Sequence, residues 1–229
     1  MKMGISIGPK PIITDNLIFY ADAANPESMP RGGSTWTDII GGVEISLQGD
    51  TPWWTSKHGG CVDFDGSNDY GTFTHPVLGT ESFTIELWVD PSDNYYNYIT
   101  FMCTTRGSSG YSVGSDGGND ALYYDQGPQG ANRHLEANEG SPLSGMHLHT
   151  YTRDSDNSGA MVLYVDAVQL DTGVSTINLT DTSGHLAQLN SGAEDMNGRI
   201  ACIRMYKGLA LTQEQVTQNF NAQKDRFGL

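Results

Sequence analysis

The sequence predicts an all-β protein that ends in a short helix, and three observations support that class. Glycine accounts for 28 of the 229 residues and charged side chains for only 17%, which is typical of short strands joined by tight turns. In residues 83–90, large apolar side chains occupy every second position, the period of a strand. Residues 200–206 are almost continuously apolar, which indicates a strand covered on both faces.

The other strands follow in order along the chain. Residues 17–23 form a first apolar strand, and Trp36 is expected to seal the rim of the core. Residues 61–64 alternate, and Asp65-Gly66 then begins a tight turn, so a hairpin is expected here. Residues 146–153 and 161–170 flank a loop of Asp, Asn, Ser and Gly, which predicts a second hairpin.

The C-terminal helix is predicted from its start signal. Gly208 ends the preceding strand, Thr212 can cap a helix, and Gln215 stands three residues later, as in a capping box. Val216 and Phe220 lie four apart on one face. We therefore expect a short amphipathic helix that packs on the buried strand before it.

Four segments carry a resemblance to one family. They are "C-V-D-F-D-G-S-N-D-Y-G", "S-F-T-I-E-L-W-V-D-P", the strand pair between residues 146 and 170, and "N-G-R-I-A-C-I-R-M-Y" with the helix after it. In this order they resemble laminin-G-like domains of the concanavalin A-like lectin/glucanase superfamily. The resemblance implies a two-sheet antiparallel jelly-roll sandwich over residues 12–229, after an N-terminal arm of residues 1–11. Met146 replaces the usual Trp, and Ala167 replaces a Gly that suits a left-handed turn.

The ending "N-F-N-A-Q-K-D-R-F-G-L" and the pieces "D-A-A-N-P" and "T-W-T-D" most resemble virion proteins of tailed bacteriophages of aquatic hosts. This implies a structural protein of the virion, either a capsid decoration or a small tail-associated appendage. Its partners would be other virion proteins and further copies of itself. The alternative is a tail adhesin that recognises host-surface glycans. The first nine residues lack the apolar core of a signal peptide, so we expect synthesis in the host cytoplasm and location in the virion.

Charge and cysteine content limit the partners. The net charge of −15, with 12 Lys and Arg against 27 acidic residues, argues against a nucleic-acid partner. No apolar run approaches the length needed for membrane insertion. Cys61, Cys103 and Cys202 are odd in number and far apart, which predicts free buried thiols rather than disulfides or a zinc site.

The turn-rich residues 93–144 contain the candidate carbohydrate-binding residues. Six tyrosines fall in this segment: Tyr95, Tyr96, Tyr98, Tyr111, Tyr123 and Tyr124. In lectin-like sandwiches such loops line the concave face, and the resemblance implies a sugar site at Tyr111, Tyr123, Tyr124, Asp125 and His134. The alternative is that these tyrosines are ordinary strand residues with one apolar side and one wet end.

Two patterns are candidate metal sites. Oxygen donors at Asp65, Ser67 and Asp69 suit a hard cation, and related domains carry calcium near the matching turn, so structural Ca²⁺ is predicted here. The alternative is a turn in which these side chains bond only local backbone amides. His147 and His149 resemble a metal pair, but no third ligand stands nearby, which favours core or rim histidines.

The family includes glucanases, so catalysis has to be considered. Retaining glycosidases need two carboxyl groups about 5 Å apart, and glucanases of this fold carry them in a Glu-x-Asp-x-x-Glu run that is missing here. Glu86 and Asp90 come nearest, but four strand residues separate their α-carbons by roughly 13 Å. We therefore predict a protein that is not an enzyme, with a glycoside hydrolase as the further alternative.

Overall fold

The computed structural model of the chain describes residues 9–50, 53–91, 98–105, 109–116, 121–126, 133–138 and 145–229. Its strands and helix are, in order, β1 (Leu17–Asp22), β2 (Thr35–Thr37), β3 (Glu44–Gln48), β4 (Trp54–Thr55), β5 (Cys61–Asp65), β6 (Tyr70–Thr74), β7 (Phe83–Asp90), β8 (Tyr98–Cys103), β9 (Tyr111–Asp116), β10 (Ala121–Gln126), β11 (Arg133–Asn138), β12 (His147–Asp154), β13 (Ala160–Val165), β14 (Val168–Val174), β15 (Ser183–Leu186), β16 (Asn197–Lys207) and α1 (Gln213–Phe227).

The strands of the described residues form a sandwich of two antiparallel sheets with eight strands each. Sheet A has the order β14-β13-β12-β7-β16-β5-β4, with β1 also paired to β16, and sheet B has the order β11-β10-β9-β8-β15-β6-β3-β2. Apolar side chains of both sheets meet in one core, which includes Trp36 with no exposed surface. This confirms the predicted all-β, two-sheet jelly-roll sandwich with one C-terminal helix. Within the described residues, no helix has the length and apolar character needed to cross a bilayer.

Strand β16 lies in the middle of sheet A, as its continuous apolar run predicted. It pairs with β7 on one side and with β5 and β1 on the other. Helix α1 covers the outer face of this sheet, where Trp88 of β7 contacts Phe220 and Phe227 at ring-centroid distances of 5.8 and 4.2 Å. The helix begins with the predicted capping box between Thr212 and Gln215. The amphipathic helix therefore packs as expected.

A buried polar network lies between α1 and sheet A. Arg204 Nε donates to Glu86 Oε2 at 2.7 Å, and neither side chain is more than 1% exposed. Asn219 Nδ2 donates to the same Glu86 oxygen at 2.9 Å, while Gln223 Oε1 accepts from Trp88 Nε1 at 2.8 Å and from Arg204 Nη1 at 2.5 Å. A charged pair is tolerated out of water only with such additional hydrogen bonds.

The connection from β5 to β6 corrects one prediction. The two strands were expected to form a hairpin, yet β5 pairs within sheet A and β6 within sheet B. The chain turns at Gly66, where φ is +79°, and crosses between the sheets. Alternation and a turn signal describe both a hairpin and a corner between two sheets, because both are two alternating strands joined by a turn.

The strand predicted at residues 161–170 is two strands. Strands β13 and β14 form a hairpin, and the turn between them places Asp166 at φ 49° and Ala167 at φ 64°. The left-handed conformation anticipated at Ala167 is therefore present. The three cysteines are free and buried, as predicted, and burial raises the pKa of the Cys61 and Cys202 thiols to about 12.

Candidate functional site

Two of the predicted sugar-binding residues lie in the core. The rings of Tyr111 and Tyr124 stack on each other with centroids 5.6 Å apart and planes 6° apart. Tyr111 Oη lies 2.6 Å from His75 Nε2, and Gln126 Nε2 donates to Tyr124 Oη at 2.6 Å. Burial raises the pKa of both phenols. Neither ring presents a face to solvent. Both tyrosines therefore fit the alternative interpretation, in which they are ordinary strand residues.

Two others lie on the outer face of sheet B, where they are also buried. Arg133 lies over the ring of Tyr123, 5.1 Å from its centroid, and donates to Asp125 and Asp116 at 3.0 Å each. Tyr123 is 0% and Asp125 3% exposed. These contacts hold the β9, β10 and β11 edge of the sheet together.

The fifth residue lies apart from them. His134 Nδ1 is 2.7 Å from the carbonyl oxygen of Val174, where β11 of one sheet meets β14 of the other. The five predicted residues therefore occupy three separate places, and their role in sugar binding stays a prediction. Tyr95, Tyr96 and the side chain of Tyr98 lie outside the described residues.

An open polar groove crosses the outer face of β3, β6 and β15. It has a volume of about 440 Å³ and is lined by Glu44, Thr72, Phe73, Thr74, Thr182, Ser183, Gly184 and His185. Thr72 lies in register with Ser46 of β3 on one side and His185 of β15 on the other. Because neighbours in register share a face, strand alternation turns these polar side chains outward while Phe73 and Leu186 enter the core.

The groove offers hydrogen-bonding groups of both kinds. Four of its lining residues carry hydroxyls, and each hydroxyl both donates and accepts. His185 Nδ1 is buried and has no hydrogen-bond partner in the part of the chain that the structure describes. Burial lowers the pKa of His185, against a smaller opposing effect of Asp181, so the ring is neutral near neutral pH. This chemistry suits a polyhydroxylated ligand.

Sequence reasoning did not single out the groove residues. Thr72, Thr74, Ser183 and His185 come from two short strands that pair only in the fold. The available signal was the alternation of small polar residues in "Y-G-T-F-T" and "S-G-H-L".

Three carboxylates meet near the predicted calcium turn. Ligand oxygens of Asp50, Asp65 and Asp69 lie within 4.8 Å of one another. Such oxygen donors suit calcium, and Asp50 is a member that the sequence did not reveal. The local alternative also has support, since Asp69 accepts the N–H of Asp65 at 3.1 Å and Asp65 accepts the N–H of Ser67 at 2.8 Å. Calcium binding stays a prediction.

The two histidines of β12 occupy different surroundings. His147 Nδ1 lies 2.6 Å from Asp166 Oδ2. His149 is fully buried beside Phe101, with ring centroids 5.2 Å apart, and burial lowers its pKa to about 3. Neither belongs to a group of three or more metal-ligating side chains among the residues that the structure covers. The positions of His147 and His149 are those of a rim and a core histidine.

The carboxylates nearest to a glucanase pattern are both engaged. Glu86 is the buried partner of Arg204 beneath α1. Asp90, 4% exposed, accepts from Arg199 Nη1 at 3.0 Å and lies 3.4 Å from His58 Nε2. Neither carboxylate lines the groove on sheet B.

A second cavity of about 440 Å³ lies between Pro9, Lys10 and the outer side of α1, and Glu214, Thr217 and Lys224 contribute to it. None of these residues lines the groove on sheet B.

Comparisons with known proteins agree with the sandwich. A sequence model of laminin G domains in the Concanavalin A-like lectin/glucanases superfamily matches residues 65–217. No curated protein sequence matches the chain.

Similar solved structures share the fold. A Trypanosoma rangeli sialidase is 14% identical at a TM-score of 0.64, over 94% of this chain and 34% of its own. The receptor binding domain of botulinum neurotoxin type G is 15% identical at a TM-score of 0.66, and the match covers 91% of this chain and 51% of that domain. The binding domain of botulinum neurotoxin DC, solved with rat synaptotagmin II, is 15% identical at a TM-score of 0.69, and the match covers 91% of this chain and 52% of that domain. The chain thus spans about a third to a half of these relatives, and the low identities establish a common fold only.

Proposed function

Because this chain belongs to the Concanavalin A-like lectin/glucanases superfamily, we propose that it is a non-catalytic carbohydrate-binding domain whose ligand lies in the groove on sheet B. The observation that carries the proposal is the lining of that groove, in which hydroxyls and a neutral imidazole cluster on one face of three neighbouring strands. Sugar hydroxyls donate and accept hydrogen bonds in the same way as these side chains. A preformed sheet face also costs little entropy on binding.

A glycan array followed by calorimetry tests the proposal. Thr72→Val keeps the shape of the side chain and removes one hydroxyl from the groove. Loss of one hydrogen bond of about 1 kcal/mol should weaken binding roughly fivefold. Thr217→Val is the matched control, because Thr217 is also half-buried but lines the cavity beside α1. Equal affinity of wild type and Thr72→Val would place the ligand elsewhere.

Absence of catalysis is part of this proposal. Its support is the burial of Glu86 in an ion pair and the engagement of Asp90 by Arg199, which leave neither carboxylate free to protonate or attack a sugar. Incubation with polysaccharides of the classes found on the array, followed by a reducing-end assay, tests it. Release of reducing ends by the wild-type protein would establish the glycoside hydrolase instead.

We further propose that the domain belongs to a bacteriophage virion, as a capsid decoration or a small tail-associated component. The support is the resemblance of its opening and closing segments to such proteins. Other virion proteins and further copies of the chain would be its partners, and residues 1–11 would attach it. A tail adhesin that binds host-surface glycans is the second candidate, and the groove favours it.

Immunogold electron microscopy of the source particle separates the two candidates. Label over the capsid would support a decoration, and label at the tail tip would support an adhesin. Particles that carry no label would refute both.

A further inference from the structure

The groove on sheet B carries an uneven set of charges. Among its lining residues that the structure describes, Glu44 is acidic, His185 carries an imidazole, and none is a lysine or arginine. Glu44 is exposed at the start of β3. Asp181 stands just before the lining residues Thr182 and Ser183, where its carboxylate accepts the N–H of Ser183 at 2.9 Å.

Among the residues that the structure describes, no lysine or arginine lines the groove to offset these carboxylates. His185 stays neutral near neutral pH because burial lowers its pKa. Arg133, on the same outer face, belongs to β11, four strands from β15 in the sheet order, which is roughly 19 Å at the usual strand spacing. Its guanidinium is already shared by Asp116, Asp125 and Glu136 at 3.0 to 3.4 Å. The protein as a whole adds a net charge of −15.

We infer that the groove selects sugars without acidic groups and prefers those with a free amine, and that Glu44 is the residue that sets this preference. The inference rests on the proposed carbohydrate-binding function. A uronic or sialic acid would bring its carboxylate beside Glu44 and Asp181 with no described cation to receive it, so like charges oppose binding. A protonated amino sugar would instead place its ammonium beside Glu44 while its hydroxyls meet Thr72, Thr74 and Ser183.

The size of the preference follows from the exposure of Glu44. An ion pair between solvent-exposed groups contributes little, so the amine should improve affinity roughly two- to fivefold at about 150 mM salt. The preference should weaken as salt rises, because screening acts fully on exposed charges.

The test uses four β-linked oligosaccharides of equal length: glucose, glucosamine, N-acetylglucosamine and a uronic acid. Their affinities for the full chain are measured by calorimetry at about pH 6, where an amine of ordinary pKa is protonated. Glu44→Gln removes the carboxylate from the groove. Glu214→Gln makes the same charge change at another exposed position, in the first turn of α1.

The expected order for the wild type is glucosamine, then the two neutral oligomers, then the uronate. Glu44→Gln should remove the glucosamine advantage and leave the neutral sugars within twofold of wild type, while Glu214→Gln should retain it. Uronate affinity equal to or above that of the neutral oligomers would overturn the inference but leave the proposed function standing. An equal loss in both variants would also overturn it, because the preference would then come from overall charge. Binding to none of the four would refute both.

Discussion

Acidification should destabilise this protein through two histidines buried in its core. His149 is 0% and His75 2% exposed, and burial lowers their pKa values to about 3 and about 4 from an ordinary 6.5. The folded state therefore holds both rings neutral, whereas the unfolded chain protonates them below about pH 6.5. Their contribution to stability is complete above that pH and is lost progressively as pH falls towards the folded pKa values.

The magnitude follows from the linkage between protonation and folding. Each pH unit below 6.5 costs about 1.4 kcal/mol per histidine until the folded pKa is reached. A change from about pH 7 to about pH 5 should thus lower the free energy of unfolding by about 2 kcal/mol for each ring. The sum of about 4 kcal/mol is large beside a typical stability of about 5–15 kcal/mol.

Guanidinium unfolding at the two pH values measures the effect, and His149→Leu isolates one ring. The variant should lose about 2 kcal/mol less than wild type on acidification. At neutral pH it should be no less stable, because both His149 nitrogens are buried without a hydrogen-bond partner among the described residues. Phe101→Leu alters the same ring contact without removing a titrating group, so it should keep the wild-type pH dependence. A loss in His149→Leu equal to that of wild type would refute the argument.

Three further predictions concern stability. Glu86→Gln should destabilise the fold by about 3–5 kcal/mol in thermal or chemical unfolding, since it leaves Arg204 charged and buried. The double variant Glu86→Leu/Arg204→Met should recover most of this stability, because it removes both charges. A double variant as unstable as Glu86→Gln would contradict the reasoning. Ala167→Gly should raise stability by about 1 kcal/mol, because it relieves a φ of 64°; an unchanged melting temperature would show that the turn is not strained. If the predicted calcium site exists, Ca²⁺ at tenfold its Kd should stabilise the wild type by about 1.4 kcal/mol but not Asp65→Asn, and equal melting curves with Ca²⁺ and with a chelator would count against it.

Much of the architecture could be read from the sequence because its causes are local. The alternation in β7, the apolar run of β16 and the capping box at Thr212 are each visible within a few consecutive residues. The left-handed position at Ala167 was visible for the same reason, since it depends on a single backbone angle.

The partition of strands between the sheets was decided only by the tertiary structure. The turn after Asp65 looks the same in a hairpin and in a corner between sheets, because hydrogen bonds to distant strands determine which is formed. Burial was decided in the same way. Tyr111 and Tyr124 have the composition of a sugar platform, yet each becomes a core residue once the opposite sheet covers it.

The candidate groove depends on contacts far apart in the chain. It needs β3, β6 and β15 side by side, with Thr72 of β6 in register with His185 of β15, more than a hundred residues later. The sequence by itself determined which residues alternate, turn and cap, because short-range sterics and hydrogen bonds control those choices. Which polar face stays open to a ligand was settled by long-range strand pairing, and no local pattern encodes that pairing.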